Sequence, residues 1–137
     1  MQVSAEEKEL LKRIGQAPRF PIVRFELRSS RERSLISTAL NHVYLERETD
    51  SMEQAKQRAK QLEHLQAQGL VCLDYKIFVT VKSDYRVYER SSIFHLLSDM
   101  VMEGKHRPGF LFDIPYIKRG MAVLTDAGRV WLEAQTE

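Results

Sequence analysis

The segment from Ser51 to Leu73 constrains this chain more than any other. Ser51 and Gln54 form a capping box, and Met52, Ala55, Ala59 and Leu62 fall within roughly 80° of one another at 100° per residue. Gly69 then interrupts the pattern before the apolar run Leu70-Val71-Cys72-Leu73. A helix over 51–68 must therefore hand over, at a glycine, to a strand. Its single apolar face needs other elements to lie on.

Those elements can be read on either side. Ser4 and Glu7 form another capping box, Leu10, Leu11 and Ile14 supply an apolar edge, and Gly15, Pro18 and Pro21 close a helix over 4–14. Val23, Phe25 and Leu27 alternate with Arg24, Glu26 and Arg28, the pattern of a half-buried strand. After Ser29 and Ser30, the residues Leu35, Ile36, Ala39, Leu40, Val43 and Tyr44 recur at helical spacing and predict a helix over 30–46.

Tyr75 to Val81 is β-branched and aromatic, Lys82-Ser83-Asp84 is a turn candidate, and Tyr85 to Tyr88 reads as the returning strand of a hairpin. Ser91 or Ser92 starts a further helix, in which Ile93, Phe94, Leu96, Leu97, Met100 and Val101 cover an apolar arc of roughly 160° before Gly104. Phe110 to Ile114 and Met121 to Leu124 read as strands joined across Lys118-Arg119-Gly120. Thr125 caps a last helix carrying Ala127, Val130, Trp131 and Ala134.

With 137 residues, 43% of them hydrophobic and 29% charged, the chain is expected to fold as one mixed α/β (α+β) domain over 1–137. No run approaches the roughly 18 to 20 apolar residues of a membrane span, and the N-terminus is charged, so a soluble cytoplasmic protein is expected. The single cysteine, Cys72, excludes an internal disulfide and reads as a small buried core residue.

The net charge of +2 says little, but its distribution says more. Residues 18–33 carry Arg19, Arg24, Arg28, Arg31 and Arg33 against Glu26 and Glu32, and residues 104–119 carry Lys105, Arg107, Lys118 and Arg119 against Asp113. Acid gathers at Glu46, Glu48, Asp50 and Glu53. Such segregation points to a basic face.

The order helix, strand, helix, helix, strand, basic turn, strand is that of a winged helix. The segment from Ala55 to Val71, with its Leu62-Glu63 and its Gly69-Leu70-Val71, resembles the recognition helix and first wing strand of bacterial winged-helix transcription regulators. Val123-Leu124-Thr125-Asp126-Ala127-Gly128-Arg129 is similar to the last wing strand and helix start of MarR- and PadR-type regulators. The resemblance implies a winged helix-turn-helix with an inserted hairpin and helix between recognition helix and C-terminal wing strand. It further implies binding to double-stranded DNA, transcription regulation and a homodimer. The wing tip is then either Lys82-Ser83-Asp84 or Lys118-Arg119-Gly120. The apolar faces of helices 92–103 and 126–135 are the candidate subunit surfaces.

If the apolar stripe of helix 51–68 turns inward, Gln57, Gln61, His64 and Gln68 lie opposite it, with Gln54 and Lys60 beside them and Arg58 at an edge. Gln pairs with adenine, Arg with guanine and Lys with phosphate, so Gln54, Gln57, Arg58, Lys60, Gln61 and His64 are candidate DNA contacts. The same residues are also good helix formers on a wet face. Lys82, Lys118 and Arg119 are the candidate phosphate contacts of a wing.

His95, Asp99, Glu103 and His106 could offer metal ligands, but no second cluster stands at diagnostic spacing, and the polar side of an amphipathic helix accounts for them. No phosphate loop, nucleophile elbow or Cys-x-x-Cys pair is present, so no enzyme, metal or cofactor is expected. Tyr75, Tyr85, Tyr88 and Tyr116 line either a ligand or partner surface or a core. The alternative function is a winged-helix protein-protein interaction module without DNA binding.

Overall fold

The computed structural model describes residues 2–76 and 79–135. In chain order its elements are α1 (Ala5–Gln16), β1 (Pro21–Arg28), β2 (Ile36–Val43), α2 (Met52–Ala67) and β3 (Val71–Asp74). A 3-10 turn (Lys82–Tyr85) then runs into the short α3 (Arg86–Glu89), followed by α4 (Ser92–Gly104), β4 (Ile114–Leu124) and α5 (Asp126–Gln135). The strands form one antiparallel sheet in the order β2-β1-β4-β3, giving an α+β fold.

Alternation along β1 sends side chains to two cores. Ile22 joins Leu10, Leu11 and Ile14 of α1, Leu62 and Leu65 of α2, and Ala122 of β4. Val23 and Phe25 join Tyr85, Tyr88, Ile93 and Ala55 on the second core, with Ile117 packed against them. The helices predicted with capping boxes form as their signals dictate. Ser4 accepts from the Glu7 backbone and Ser51 from that of Gln54, and each Glu7 or Gln54 side chain returns the bond. Such caps contribute about 1 kcal/mol each. Gly69, at φ +77°, takes the left-handed conformation that turns α2 into β3. Ser91 caps α4, and Thr125 accepts from the Gly128 backbone to start α5.

Six sequence expectations are corrected. The helix over 30–46 is instead a turn followed by β2, so no second helix stands directly before α2. Its register explains the misreading. Irregularities between Val23 and Phe25 and between Phe25 and Glu26 bring Leu40 opposite Phe25 and Val43 opposite Val23. Apolar residues three apart then share one face of a bulged strand, imitating a helix. Pairing with β1 decides the outcome.

The turn at Lys118-Arg119-Gly120 does not exist, because those residues lie inside the continuous eleven-residue β4. Gly120 serves close packing rather than turning: a Cβ there would come within 2.6 Å of the Tyr75 ring. Residues 110–113 lie outside any strand.

Lys82-Ser83-Asp84 does turn, but into helical geometry, which places Tyr85 and Tyr88 three apart and both in the core. Their hydroxyls donate to the carbonyls of Gly120 (2.7 Å) and Pro21 (2.6 Å). The strand expected over 75–81 is absent from residues 75, 76 and 79–81, and Ile77 and Phe78 lie outside the described residues. Cys72, finally, is exposed. It pairs with Val123, which is also exposed. Among the described residues no helix is long and apolar enough to cross a membrane.

Candidate nucleic-acid interface

The residues singled out on α2 are largely engaged inside the protein. Gln57 and Gln61 donate to Glu6 Oε2 of α1 at 3.3 and 2.8 Å. His64 Nδ1 lies 2.6 Å from Glu7 Oε2, and Gln68 lies 3.1 Å from His64 Nε2. Gln54 is spent on the cap.

Arg58 donates to Asp50 Oδ2 at 2.7 Å and to the Tyr44 carbonyl at 3.4 Å, with Glu46 at 3.7 Å. It ties α2 to the loop after β2 rather than reaching outward. Although burial raises Asp50, the Arg58 guanidinium and the backbone N–H groups of Glu46 and Arg47 hold its carboxyl below the usual range. Of the predicted α2 contacts, Gln54, Gln57 and Lys60 stand exposed, on a side that also carries Glu53, Lys56 and Glu63. That side is close to neutral.

Lys82 is exposed at the start of the 3-10 turn, which the Arg19 guanidinium fastens by donating to Asp84 at 2.6 Å. Arg119 donates to Thr80 Oγ1 at 2.9 Å and stands 4.0 Å from Glu89. Lys118 is placed differently. It faces Arg24 directly across the β1–β4 ladder, so two cations occupy one cross-strand site.

The ladder aligns the two basic segments of the sequence, which together hold nine cations against three acids. Around the pair, one sheet face is basic and aromatic. Arg24 lies over the Tyr75 ring at 4.3 Å and donates to Asn41 Oδ1 at 2.8 Å. Arg28 lies over the Tyr116 ring at 3.5 Å. Between them, nearly buried Glu26 accepts from Arg28 at 3.0 and 2.7 Å and lies 3.9 Å from Arg24. Glu26 thereby orients both guanidiniums while cancelling only one charge.

Next to this face opens a cleft of about 500 Å³ whose lining includes Tyr75, Thr80, Glu89, Tyr116, Lys118 and Arg119. Burial pushes the Tyr75 phenol well up and keeps it neutral, and it shares a 2.9 Å hydrogen bond with His42 Nδ1. His42 adopts φ +52° at the second irregularity of β2, and burial pushes its ring down. A non-glycine residue in that conformation costs about 1 kcal/mol, and the Tyr75 bond helps hold it there.

Of the four tyrosines singled out in the sequence, Tyr85 and Tyr88 are therefore core, while Tyr75 and Tyr116 line the cleft. Sequence reasoning missed Arg24, Glu26 and Arg28 as site residues. Their alternation with Val23, Phe25 and Leu27 was visible, but the partner strand that makes them a site was not.

Elsewhere, His95, Asp99 and Glu103 lie exposed on α4, and among the described residues no three His, Cys, Asp or Glu side chains could hold a metal together. The expected subunit surfaces are partly open: Leu96 and Met100 on α4 are 52% and 59% exposed, and Val130 on α5 is exposed. Compared with known proteins, the chain matches no family model, no curated protein and no solved structure.

Proposed function

We propose that this protein binds nucleic acid, using the face formed by Arg24, Arg28, Tyr75, Tyr116 and Lys118. The observation that carries this reading is Lys118 opposite Arg24. Like charges directly across a ladder destabilise a sheet by about 0.2–1 kcal/mol. No anion of the protein is bonded to Lys118 among the described residues, so the pair is kept against local stability. A polyanionic ligand supplies the missing counter-charge. The flanking arginine–tyrosine stacks hold cations and rings in fixed positions, which lowers the ordering cost of binding.

A gel-shift titration at two salt concentrations, with duplex and single-stranded oligonucleotides, tests the reading. Affinity should fall steeply with salt, and Arg24→Ala with Lys118→Ala should weaken binding by tenfold or more while the fold is retained. Salt-independent or absent binding to every nucleic acid refutes it.

A second reading is a duplex-DNA transcription regulator of winged-helix type, acting as a homodimer. It is favoured by one arrangement: α1 and α2 pack on one face of β1-β4-β3, and α2 turns at Gly69 directly into β3. In that reading β2 replaces the helix before the recognition helix, and exposed Lys60 and Gln57 would enter the groove. Loss of duplex binding in Lys60→Ala with Gln57→Ala, and not in Lys118→Ala, supports it.

A further inference from the structure

Resting on the nucleic-acid reading, we infer that the ligand of this face is an unpaired strand, with a base stacked on Tyr116 and phosphates held by Lys118 and Arg24. The Arg28 guanidinium covers one side of the Tyr116 ring at 3.5 Å, yet Tyr116 remains 38% exposed and lines the 500 Å³ cleft. A partly exposed ring that carries a planar cation over one face and borders a cleft is a stacking platform. Clefts of roughly 300–1,000 Å³ accept a ligand the size of a nucleotide.

Spacing agrees with this. Tyr116 and Lys118 are two residues apart on one face of β4, roughly 6.8 Å along the strand, and Arg24 lies roughly 5 Å across from Lys118. One base and its neighbouring phosphate therefore find a ring and two cations on adjacent positions. Glu26, accepting from Arg28 at 3.0 and 2.7 Å, holds that guanidinium in place over the ring.

A duplex fits this surface poorly. Its bases are already stacked on each other, leaving nothing for Tyr116, and its major groove needs a protruding helix or ribbon. β1 and β4 are the central strands of the sheet, and α2 carries Glu53 and Glu63 on the same exposed side as Lys56 and Lys60.

Fluorescence anisotropy with labelled oligo-dT, oligo-rU and a hairpin duplex of equal phosphate number tests the inference on the full chain. Both single strands should bind more tightly than the duplex. Tyr116→Ala should lose about tenfold or more, the range of one base–aromatic stack, and Tyr116→Phe should stay within about twofold of wild type. Lys118→Ala should flatten the salt dependence by about 0.7 in log–log slope on a single strand. Thermal melting of each variant establishes that it is folded. Duplex bound as tightly as single strand, with Tyr116→Ala unchanged, overturns the inference and leaves the nucleic-acid reading standing. Binding to none of the three probes overturns both. A difference between oligo-dT and oligo-rU, which differ in the 2′-hydroxyl and the thymine methyl, shows which kind of strand the cleft prefers and supports the inference either way.

Discussion

Replacing Arg58 by alanine should unfold this protein more easily rather than blunt a recognition surface. The guanidinium is 19% exposed and its main partner, the Asp50 carboxylate, 8%. Breaking a fully buried pair costs about 3–5 kcal/mol because one charge is left alone. Here Asp50 keeps backbone donors from Glu46 at 2.8 Å and Arg47 at 3.2 Å, and Arg58 retains some water, so about 2 kcal/mol is the reasonable figure. At about 4 °C per kcal/mol for a chain of this size, the melting temperature should drop by about 8 °C.

Urea unfolding followed by circular dichroism at several pH values gives the assay. Asp50 has its folded-state pKa depressed, so its contribution is complete above the unfolded value, 3.8, and is lost as pH falls through the folded one. The gap between wild type and Arg58→Ala should therefore be constant from about pH 7 to 5 and close below about pH 4. An unchanged midpoint at pH 7, or a gap that persists undiminished to pH 3, refutes this account of Arg58. Retained stability with lost duplex binding would return Arg58 to a reading role.

Lys118→Ala should raise stability by about 0.5 kcal/mol, because it relieves the repulsion with Arg24, while weakening nucleic-acid binding; a loss of stability of that size contradicts the cross-strand argument. Gly128→Ala, which in an open helix interior would gain about 1 kcal/mol, should instead cost about 2–3 kcal/mol. Its Cβ would run into the Leu70 carbonyl and approach Leu124 to 2.9 Å, and chemical denaturation reads the sign directly. Glu7→Gln should cost about 1 kcal/mol at pH 7, and the cost should shrink as pH falls below 4.5. Burial raises Glu7, but the Ser4 backbone N–H, His64 and the Ser4 hydroxyl outweigh it and depress the folded value. Its contribution is thus present above 4.5 and lost as pH falls. Equal melting temperatures of the two proteins at pH 7 would remove Glu7 from the cap.

What could be read from sequence were the elements whose signals are local. Both capping boxes, the Gly69 turn and the Ser91 start of α4 depend on residues within one or two turns, and each formed where its residues stand. What could not be read depends on a distant partner. Residues 36–43 form a strand because β1 offers an edge, and their bulges disguise the alternation that would have revealed it. Gly120 resembled a turn residue but is a seat for Tyr75, a fact that exists only once β3 lies beside β4.

The site divides along the same line. Lys118 and Arg119 were singled out for their charge, yet the neighbours that give Lys118 meaning, Arg24 and Arg28, come from ninety residues earlier in the chain. The glutamines of α2 looked free because a helical wheel contains one helix. The acidic first turn of α1 supplies their partners from outside it.

One consequence of β4 extends beyond the cleft. The strand carries Ile117 against the second core and buries Ala122 in the first, and it is hydrogen-bonded to β1 along eight residues and to β3 along four. Neither half of the molecule can then melt without tearing the shared rib, so its amides should exchange with deuterium only when everything opens. Because Tyr116 and Lys118 sit on that rib, an occupant gripping them would brace both halves together, slowing exchange far from the point of contact.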